Sequence, residues 1–358
     1  MHENDSEKIQ KQILLAPFTS IKVGGYSDYF LECKSIEDIL SGLEFSETKH
    51  LPLHVLGGGS NTLFPDEGFR GLVLKISLAG IKFQKLPDGD YAEVMAGENF
   101  DDFAAGCVDR NLSGVECLSG IPGTVGAAPV QNIGAYGQEI QDTIIAIEAM
   151  ERKTGKIVNF SAGECGFSYR MSRFKKELKD EYIIIKIRFR LLDQGSGKPE
   201  IHYRELKELV TDKYGYNYSV KNIRDSVLYL RRKKSMVIDP GDSDSVSCGS
   251  FFMNPYVTQD VLENLKTRLE SMGESVDRLP IFTVSDRYKL SAAFLIEKAG
   301  FSKGYEKNGA GLSSKHALAI VNRGCKRKEI LELAHEIQEK VFLEFGIRIE
   351  IEPVLVTN

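Results

Sequence analysis

The chain has no cysteine pairs, no long apolar run and no surplus of positive charge. Its six cysteines are scattered, with no two separated by two residues, which predicts reduced thiols and neither a disulfide framework nor a zinc site. No run approaches the ~20 apolar residues that span a bilayer, and the charged N-terminus has no apolar signal core. The 46 basic and 51 acidic side chains leave a net charge of −5, which disfavours nucleic acid as a partner. We therefore expect a cytoplasmic protein without a membrane span or a bound metal.

Two familiar nucleotide-binding signatures are also missing. The chain has no Gly-x-Gly-x-x-Gly fingerprint, and its first glycine run, Gly57-Gly58-Gly59-Ser60-Asn61, is not followed by the Lys-Ser/Thr pair of a Walker loop. The run does follow LPLHVL (51–56), which reads as a short buried strand. A strand that ends in three glycines presents a fan of backbone N–H groups, which suits phosphate oxygens, although a plain tight turn is the alternative.

A second glycine cluster lies at 118–137, LSGIPGTVGAAPVQNIGAYG. Prolines stiffen the turns between its glycines, and Gln131 and Asn132 add two side-chain amides. Apolar residues such as Ile121 and Val130 are interleaved among the glycines, which is untypical of a low-complexity linker. A rigid wall of this kind suits a flat, polar ring system, whereas a surface loop is the alternative. Together the two clusters predict one site for a pyrophosphate and one for the ring that it carries.

The rest of the chain alternates helix-like and strand-like segments, and its 358 residues suffice for two or three domains. Residues 27–79 read as an α/β unit around the first glycine run, and 144–151 reads as a strand. Residues 326–345 have the period of an amphipathic helix that ends at Gly346. The last segment, 347–356, alternates isoleucine with charged residues and predicts a closing strand.

Five side chains offer chemistry, each with an ordinary alternative. Arg170 has the fork geometry to clamp a carboxylate, or belongs to a basic surface patch. Ser250 is a candidate proton donor in a dry site, or a turn serine; without a Gly-x-Ser-x-Gly elbow, a nucleophilic triad is disfavoured. Glu352 either orients a reacting group or is a solvated edge carboxylate. Lys234 either holds a diphosphate or ends a solvated helix, and His316 is more often a satisfied, partly buried histidine.

A resemblance to a known family covers nearly the whole chain, from about Phe18 to Val356. It is carried, in the family's order, by GGGSN, SGIPGTVGAAPVQNIGAYG, FSYRMSRFK, GSFFMNP, KHALAIVNRG and IEPVLV. These segments resemble the UDP-N-acetylenolpyruvoylglucosamine reductases, flavoenzymes that complete UDP-N-acetylmuramate for peptidoglycan in the bacterial cytoplasm. The block IPGTVG…QNIGAYG is highly specific, whereas GGGSN alone is not.

The resemblance implies an α+β protein with an FAD-binding fold of the vanillyl-alcohol-oxidase-like type. Two α/β lobes would bind FAD, and a third α+β domain would bind the substrate. Residues 1–79 and 346–358 would form the first lobe, 80–233 the second and 234–345 the third domain. We also expect a monomer.

The resemblance further implies roles for individual residues. FAD would bind without a covalent link, its pyrophosphate held by Gly57, Gly58, Gly59, Ser60 and Asn61. The flavin would be lined by Gly120, Ile121, Pro122, Gly123, Gln131, Asn132 and Gly134. The catalytic residues would be Arg170 at the enolpyruvyl carboxylate, Ser250 as proton donor and Glu352 as the terminal acidic residue. The uridine diphosphate sugar would contact Tyr169, Tyr203, Lys234, Asn254 and His316.

The reaction implied is reduction of UDP-N-acetylglucosamine enolpyruvate, with NADPH as the hydride donor. Tyr203 suggests the subgroup that has a mobile tyrosine loop. The chain departs from the family at several places: Met253 stands where many members have lysine, Ala127-Ala128 replaces glycine or serine, IKVGGYSDYF lacks the usual asparagine or threonine with phenylalanine, and the loop from Lys234 to Cys248 is longer than in compact members.

Two rival functions predict different behaviour. A covalent flavin oxidase would need a histidine or cysteine beside the flavin, for which His54 and Cys117 are the candidates. A non-catalytic protein that binds nucleotide sugars would keep ligand binding without NADPH turnover. The presence of Arg170, Ser250 and Glu352 argues against the second rival.

Overall fold

The N-terminal part of the chain forms a mixed sheet with one helix against it. The structure is a computed structural model, in which residues 8–193, 199–284 and 286–358 are described. The strands are β1 (Gln10–Leu14), β2 (Tyr26–Cys33), β3 (Leu53–Leu56), β4 (Thr62–Leu63) and β5 (Phe69–Ile76), and the helix is α1 (Ile36–Thr48). The sheet order is β1-β2-β5-β3, with β2, β5 and β3 parallel. Helix α1 begins where the Ser35 side chain accepts from the Asp38 backbone N–H, a capping box.

The second sheet is antiparallel and follows directly. Its elements are β6 (Ile81–Leu86), β7 (Gly89–Met95), α2 (Phe100–Asp109), β8 (Leu112–Ser113), β9 (Gly134–Ala135), β10 (Gln138–Glu139), β11 (Ile144–Glu151), β12 (Ile157–Ser161) and β13 (Tyr182–Asp193). The order is β12-β11-β13-β7-β6, with β8 on β13, while β9 and β10 form a separate hairpin. The predicted strand at 144–151 is confirmed.

The C-terminal part carries most of the helices. Its elements are α3 (Arg204–Tyr214), α4 (Val220–Lys233), β14 (Tyr256–Val257), α5 (Gln259–Ser271), β15 (Ile281–Val284), β16 (Arg287–Leu290), α6 (Ala292–Lys298), β17 (Glu306–Lys307), β18 (Ala310–Leu312), β19 (Ile320–Asn322), α7 (Arg327–Phe345) and β20 (Val354–Leu355). Three-stranded sheets β14-β16-β15 and β17-β18-β19 pack in this part. Among the described residues, no helix is both long and apolar enough to cross a membrane.

The buried side chains fall into distinct clusters. One large cluster joins the first two sheets, so that Leu31 and Leu74 share a core with Phe103 and Ile147. A second belongs to the C-terminal part but includes Ile21 and Leu63 from the N-terminal part. A smaller one packs α3 and α4 against Cys117. The sheets and the C-terminal part are therefore joined by shared apolar cores.

The C-terminal predictions have mixed outcomes. Helix α7 ends as expected, because Gly346 adopts the left-handed conformation at φ 69° and donates to the Phe342 carbonyl. The prediction of one continuous strand over 347–356 is wrong. Within this segment only β20 pairs as a strand, and β20 lies parallel to β4. Ile351 instead forms an isolated bridge with Phe252, and Pro353 follows one residue after Glu352. This short bridge places Glu352 next to the segment that contains Ser250.

The two glycine clusters pack against each other. A Cβ on Gly58 would lie 2.5 Å from the Gly123 Cα, and a Cβ on Gly57 would lie 2.7 Å from the Thr124 hydroxyl. Gly126 packs equally closely on Ala96. The glycines therefore allow the two loops, which come from different sheets, to touch through their backbones.

We expect Gly58→Ala to lower the free energy of unfolding by about 1–3 kcal/mol, because its methyl group would push the two glycine loops apart. Gly163→Ala is the matched control, since a Cβ at Gly163 meets no atom within 4 Å. Denaturant unfolding of both variants measures the difference. Equal unfolding midpoints for the two variants would contradict the close packing of the loops.

Candidate active site

The first glycine run borders a cavity of about 250 Å³ between the first two sheets. Its walls include apolar side chains such as Val55 and Ile184 and the cationic side chains of Arg152, Lys175 and Lys179. Of the predicted residues, it is lined by Gly57, Gly58, Gly59, Ser60, Asn61 and Gln131. This cavity thus combines an apolar interior with positive charge and a glycine edge.

A second cavity of about 390 Å³ adjoins the first, and the two share Ser60, Asn61, Thr124, Ala127 and Gln131. Its walls come from the second glycine cluster, from the end of α4 and from the C-terminal part. Of the predicted residues, it is lined by Ser60, Asn61, Ile121, Pro122, Gly123, Gln131, Gly134, Arg170, Tyr203, Lys234, Ser250, Asn254, His316 and Glu352. Residues far apart in sequence are therefore brought together as predicted.

The amides of the shared wall bind each other. The Asn61 side-chain amide donates to the Gln131 side-chain oxygen at 2.8 Å, which links the two glycine loops. The backbone N–H groups of Gly58, Gly59 and Ser60 donate no hydrogen bond within the described parts of the chain. Unpaired donors beside a cavity suit an anionic group such as a pyrophosphate.

Arg170 and Glu352 form an ion pair on the wall of the second cavity. The Arg170 Nε lies 3.3 Å from the Glu352 Oε1, and the two side chains are 19% and 10% exposed. The guanidinium also donates to the carbonyls of Asn132, at 3.3 Å, and Gly134, at 2.8 Å. Burial raises the pKa of Glu352, whereas the charges of Arg170 and Lys175 act in the opposite sense. The surface-patch and edge-carboxylate interpretations of these two residues are therefore wrong.

Ser250 lies next to Glu352 because two segments pair across the cavity. The Glu352 backbone N–H donates to the Phe251 carbonyl at 3.0 Å, and Met253 donates to the Glu350 carbonyl at 2.9 Å. The Ser250 hydroxyl has no hydrogen bond with any described residue, so it is available to a ligand. Met253, which stands where many family members have lysine, does not line the cavity.

The predicted sugar-nucleotide residues surround the other end of this cavity. Tyr203 packs edge-on against Tyr136, and the Lys234 Nζ lies 3.2 Å from the Glu205 carboxylate. Asn254 also caps α6, because its side-chain oxygen accepts from the Ala292 backbone N–H at 2.9 Å. Burial, together with nearby cations, lowers the pKa of His316 to about 4, so His316 is neutral near neutral pH.

Three predicted residues lie outside the cavity walls. The Gly120 N–H donates to the Asp101 carboxylate, and the fully buried Asn132 amide donates to Glu139 and to the Ser168 carbonyl. Tyr169 packs against Tyr256. These three residues support the wall, because hydrogen bonds and packing within the protein already engage them.

Sequence reasoning missed Arg231, which lines the second cavity and is only 8% exposed. Its Nη2 donates to the Met236 carbonyl at 2.7 Å, and its Nε has no partner among the described residues. A signal was present, since Arg231 lies four residues after Val227, on the buried face of α4. An arginine at that position of an amphipathic helix points inward.

Both parts of the chain match known families. Residues 27–161 match the FAD binding domain, and residues 240–356 match the C-terminal domain of UDP-N-acetylenolpyruvoylglucosamine reductase. The UDP-N-acetylenolpyruvoylglucosamine reductase of Thermobifida fusca is 40% identical over 350 residues, covering 97% of each chain. That of Mycobacterium tuberculosis is 37% identical over 363 residues, covering 97% of this chain and 95% of its own.

A solved structure supports the fold. The crystal structure of UDP-N-acetylenolpyruvylglucosamine reductase from Thermus caldophilus superposes with a TM-score of 0.63, at 24% identity, over 98% of this chain and all of that one. The predicted α+β architecture and FAD-binding fold are thereby confirmed. On these matches, the chain belongs to the UDP-N-acetylenolpyruvoylglucosamine reductase family.

Proposed function

We propose that Arg170, Ser250 and Glu352 carry out the reaction of this family in the second cavity. The chain is an FAD-dependent oxidoreductase that uses NADPH to reduce UDP-N-acetylglucosamine enolpyruvate to UDP-N-acetylmuramate, a step of peptidoglycan synthesis. One observation carries the assignment of residues: an arginine–glutamate pair and an unpartnered serine hydroxyl line one cavity, which continues into a glycine-edged cavity.

The two adjoining cavities fit FAD. The unpaired N–H groups of Gly58, Gly59 and Ser60 would hold the pyrophosphate, and Lys179 adds positive charge to the wall of the same cavity. The backbone of Ile121–Gly123 and the Gln131 amide would line the flavin. Bound FAD supplies the hydride chemistry, by accepting a hydride from NADPH and returning it to the enolpyruvyl group.

Arg170 would stabilise charge on the substrate carboxylate. Three of its five N–H donors already have partners in the protein, which leaves two for the substrate. Hydride addition to the vinyl carbon moves negative charge into the carboxylate, so a fixed guanidinium binds the enolate-like state more strongly than the ground state. The contacts to two carbonyls and to Glu352 fix its orientation before substrate enters.

Ser250 would donate the proton to the adjacent carbon. A serine hydroxyl is a weak acid in water, but in an enclosed cavity it can protonate a strongly basic carbanion. Glu352 lies beside it and holds Arg170 through the 3.3 Å ion pair. This carboxylate therefore fixes the carboxylate clamp, and the Ser250 hydroxyl stays available to the substrate.

The rival functions have less support in the geometry. Cys117 is fully buried in the cluster between α3 and α4, away from both cavities, and burial raises the pKa of its thiol. His54 borders the first cavity with its ring edge-on to Phe64, whereas Arg170 and Ser250 line the second. A protein that only bound nucleotide sugars would have no need of a buried arginine–glutamate pair beside an unpartnered serine.

Three broader features remain part of the proposal. The monomer is supported by the fact that one chain supplies all the walls of both cavities. A cytoplasmic location is supported by the free thiols, five of which are buried. The division at 79/80, 233/234 and 345/346 is the third feature, and Val356, which is buried with Phe64, supports placing the C-terminal end with the first lobe.

Ser250→Ala should leave reduction of the bound flavin by NADPH intact and slow its reoxidation by the enolpyruvyl sugar by about 10²–10⁴-fold, because only the second step needs the proton. Stopped-flow absorbance of the flavin separates the two steps. Ser243→Ala, on the exposed part of the preceding loop, is the control and should match wild type in both. Equal slowing of both steps in Ser250→Ala would indicate a structural serine.

Arg170→Lys should lower kcat by about 10²–10³-fold, because an ammonium cannot form the forked contact with the substrate carboxylate. Arg173→Lys provides the control: Arg173 donates to the Glu164 carbonyl and lines neither cavity. Steady-state turnover measures both variants. Near wild-type turnover of Arg170→Lys would remove Arg170 from the mechanism.

Lys175→Met should shift the acid limb of the kcat profile to higher pH. The pKa of Glu352 is already raised by burial, and Lys175 is one of the two charges that oppose this shift. Removing Lys175 raises that pKa further, so Glu352 loses its negative charge at a higher pH. The exposed Lys176→Met is the control, and an acid limb that moves equally in both variants would argue against ionised Glu352 as the active form.

A further inference from the structure

The long loop 235–248, between Lys234 and Gly249, connects two walls of the substrate cavity. The Asp242 Oδ2 accepts from the Ser235 hydroxyl at 2.6 Å and from the Lys315 Nζ at 2.9 Å. Its Oδ1 accepts from the Asp244 backbone N–H at 3.1 Å, which shapes the loop itself. One carboxylate thus joins the end of α4 to the turn before β19.

Asp244 anchors the same loop more deeply. It is 4% exposed, and its Oδ2 accepts from the Ser313 hydroxyl at 3.0 Å and from the Ser314 N–H at 2.6 Å. Its Oδ1 accepts from the Arg323 Nη2 at 2.7 Å. Asp244 thus fixes the loop to Ser313, Ser314 and Arg323 of the C-terminal part. Because Asp242 is two residues away, its position is fixed as well.

The partners of Asp242 are direct neighbours of cavity residues. Ser235 follows Lys234, and Lys315 precedes His316, and both Lys234 and His316 line the second cavity. Ser235 also has a left-handed backbone, at φ 53°, which a non-glycine residue rarely adopts without support. The hydrogen bond from Ser235 to Asp242 stabilises this turn. It therefore also fixes the orientation of Lys234, the C-cap residue of α4.

The charge on Asp242 is maintained by these contacts. Burial alone would raise its pKa, but the hydrogen bonds from Ser235 and Lys315 outweigh burial and hold the pKa below its ordinary value. The carboxylate is therefore ionised near neutral pH and keeps both donors. Hydrogen bonds to a charged acceptor are the stronger kind, so this link is stiff.

We propose that Asp242 is a positioning residue for the diphosphate end of the substrate, which acts by fixing Lys234 and His316 on the cavity wall. This inference rests on the proposed placement of the sugar nucleotide in the second cavity. It gives the additional length of the 235–248 loop a function, because a loop that is too short to reach Lys315 cannot make this bridge.

The test compares Asp242→Ala with Asp239→Ala in the full-length protein with FAD bound. Asp239 lies on the same loop and is exposed, and its carboxylate accepts only from the Gly241 N–H among the described residues. We expect Asp242→Ala to raise KM for the enolpyruvyl sugar nucleotide by roughly tenfold or more, since two hydrogen bonds to a charged group are lost. Asp242→Asn should lie between Asp242→Ala and wild type. Asp239→Ala should match wild type.

Two further measurements separate positioning from general loss of structure. The rate of flavin reduction at saturating NADPH and the FAD content should be unchanged in Asp242→Ala, because the Asp242 carboxylate bonds to Ser235, Lys315 and Asp244 and not to the first glycine run or Arg170. In a background that already carries Lys234→Met and His316→Ala, adding Asp242→Ala should leave KM unchanged, because Asp242 acts through these two residues. Additive effects, or an equal loss of flavin reduction, would overturn the inference.

The inference and the proposed function fail in different ways. If Lys234→Met raises KM for the sugar nucleotide and Asp242→Ala does not, the substrate site stands and the positioning role is wrong. If Lys234→Met and His316→Ala both leave KM unchanged, the proposed placement of the substrate is wrong, and the inference fails with it.

Discussion

The ion pair between Arg170 and Glu352 is the interaction on which the site depends. It joins the segment after β12 to the last residues before β20, and the remaining guanidinium contacts join both to the second glycine cluster. A largely buried charge pair of this kind is stable only if its hydrogen bonds are satisfied. Arg170 also has a left-handed backbone, at φ 53°, a strained conformation of the sort that collects at functional sites. The fold holds the guanidinium in place before any ligand binds.

The glycines serve the architecture as well as the cofactor. Close packing of Gly58 on Gly123 brings loops from two different sheets into backbone contact, and that contact forms the wall which the two cavities share. Any side chain at Gly58 would separate the loops and widen the site. The same lack of side chains leaves N–H groups unpaired for an anion. The glycines therefore serve both the close packing of the two loops and the binding of an anion. Because both requirements exclude side chains, the two clusters stand out in the sequence.

Sequence patterns predicted the local elements well and the buried charges poorly. The period of α7 and its stop at Gly346 follow from local rules, and so does the strand at 144–151. The burial of Glu352 does not, because it results from the bridge between Phe252 and Ile351, which are 99 residues apart. The local sequence around Arg170 does not distinguish a carboxylate clamp from a surface patch, and only the family resemblance indicates a role in catalysis. Arg231 had a local signal in the helical period, but a run of four basic residues hid it.

The shared cores limit how the site can open. The buried cluster of the C-terminal part includes Ile21 and Leu63 from the N-terminal part. Rotation of the C-terminal part away from the N-terminal part would therefore expose apolar side chains to water. The unit formed by α3 and α4 is different, since its own cluster is small and its contact with the second sheet centres on Cys117. It carries Tyr203, Arg231 and Lys234 into the cavity. Its link through Asp101 and Arg224, at 2.6 Å, is polar. Displacement of this unit exposes a smaller apolar cluster than displacement of the C-terminal part, and it changes the substrate end of the cavity.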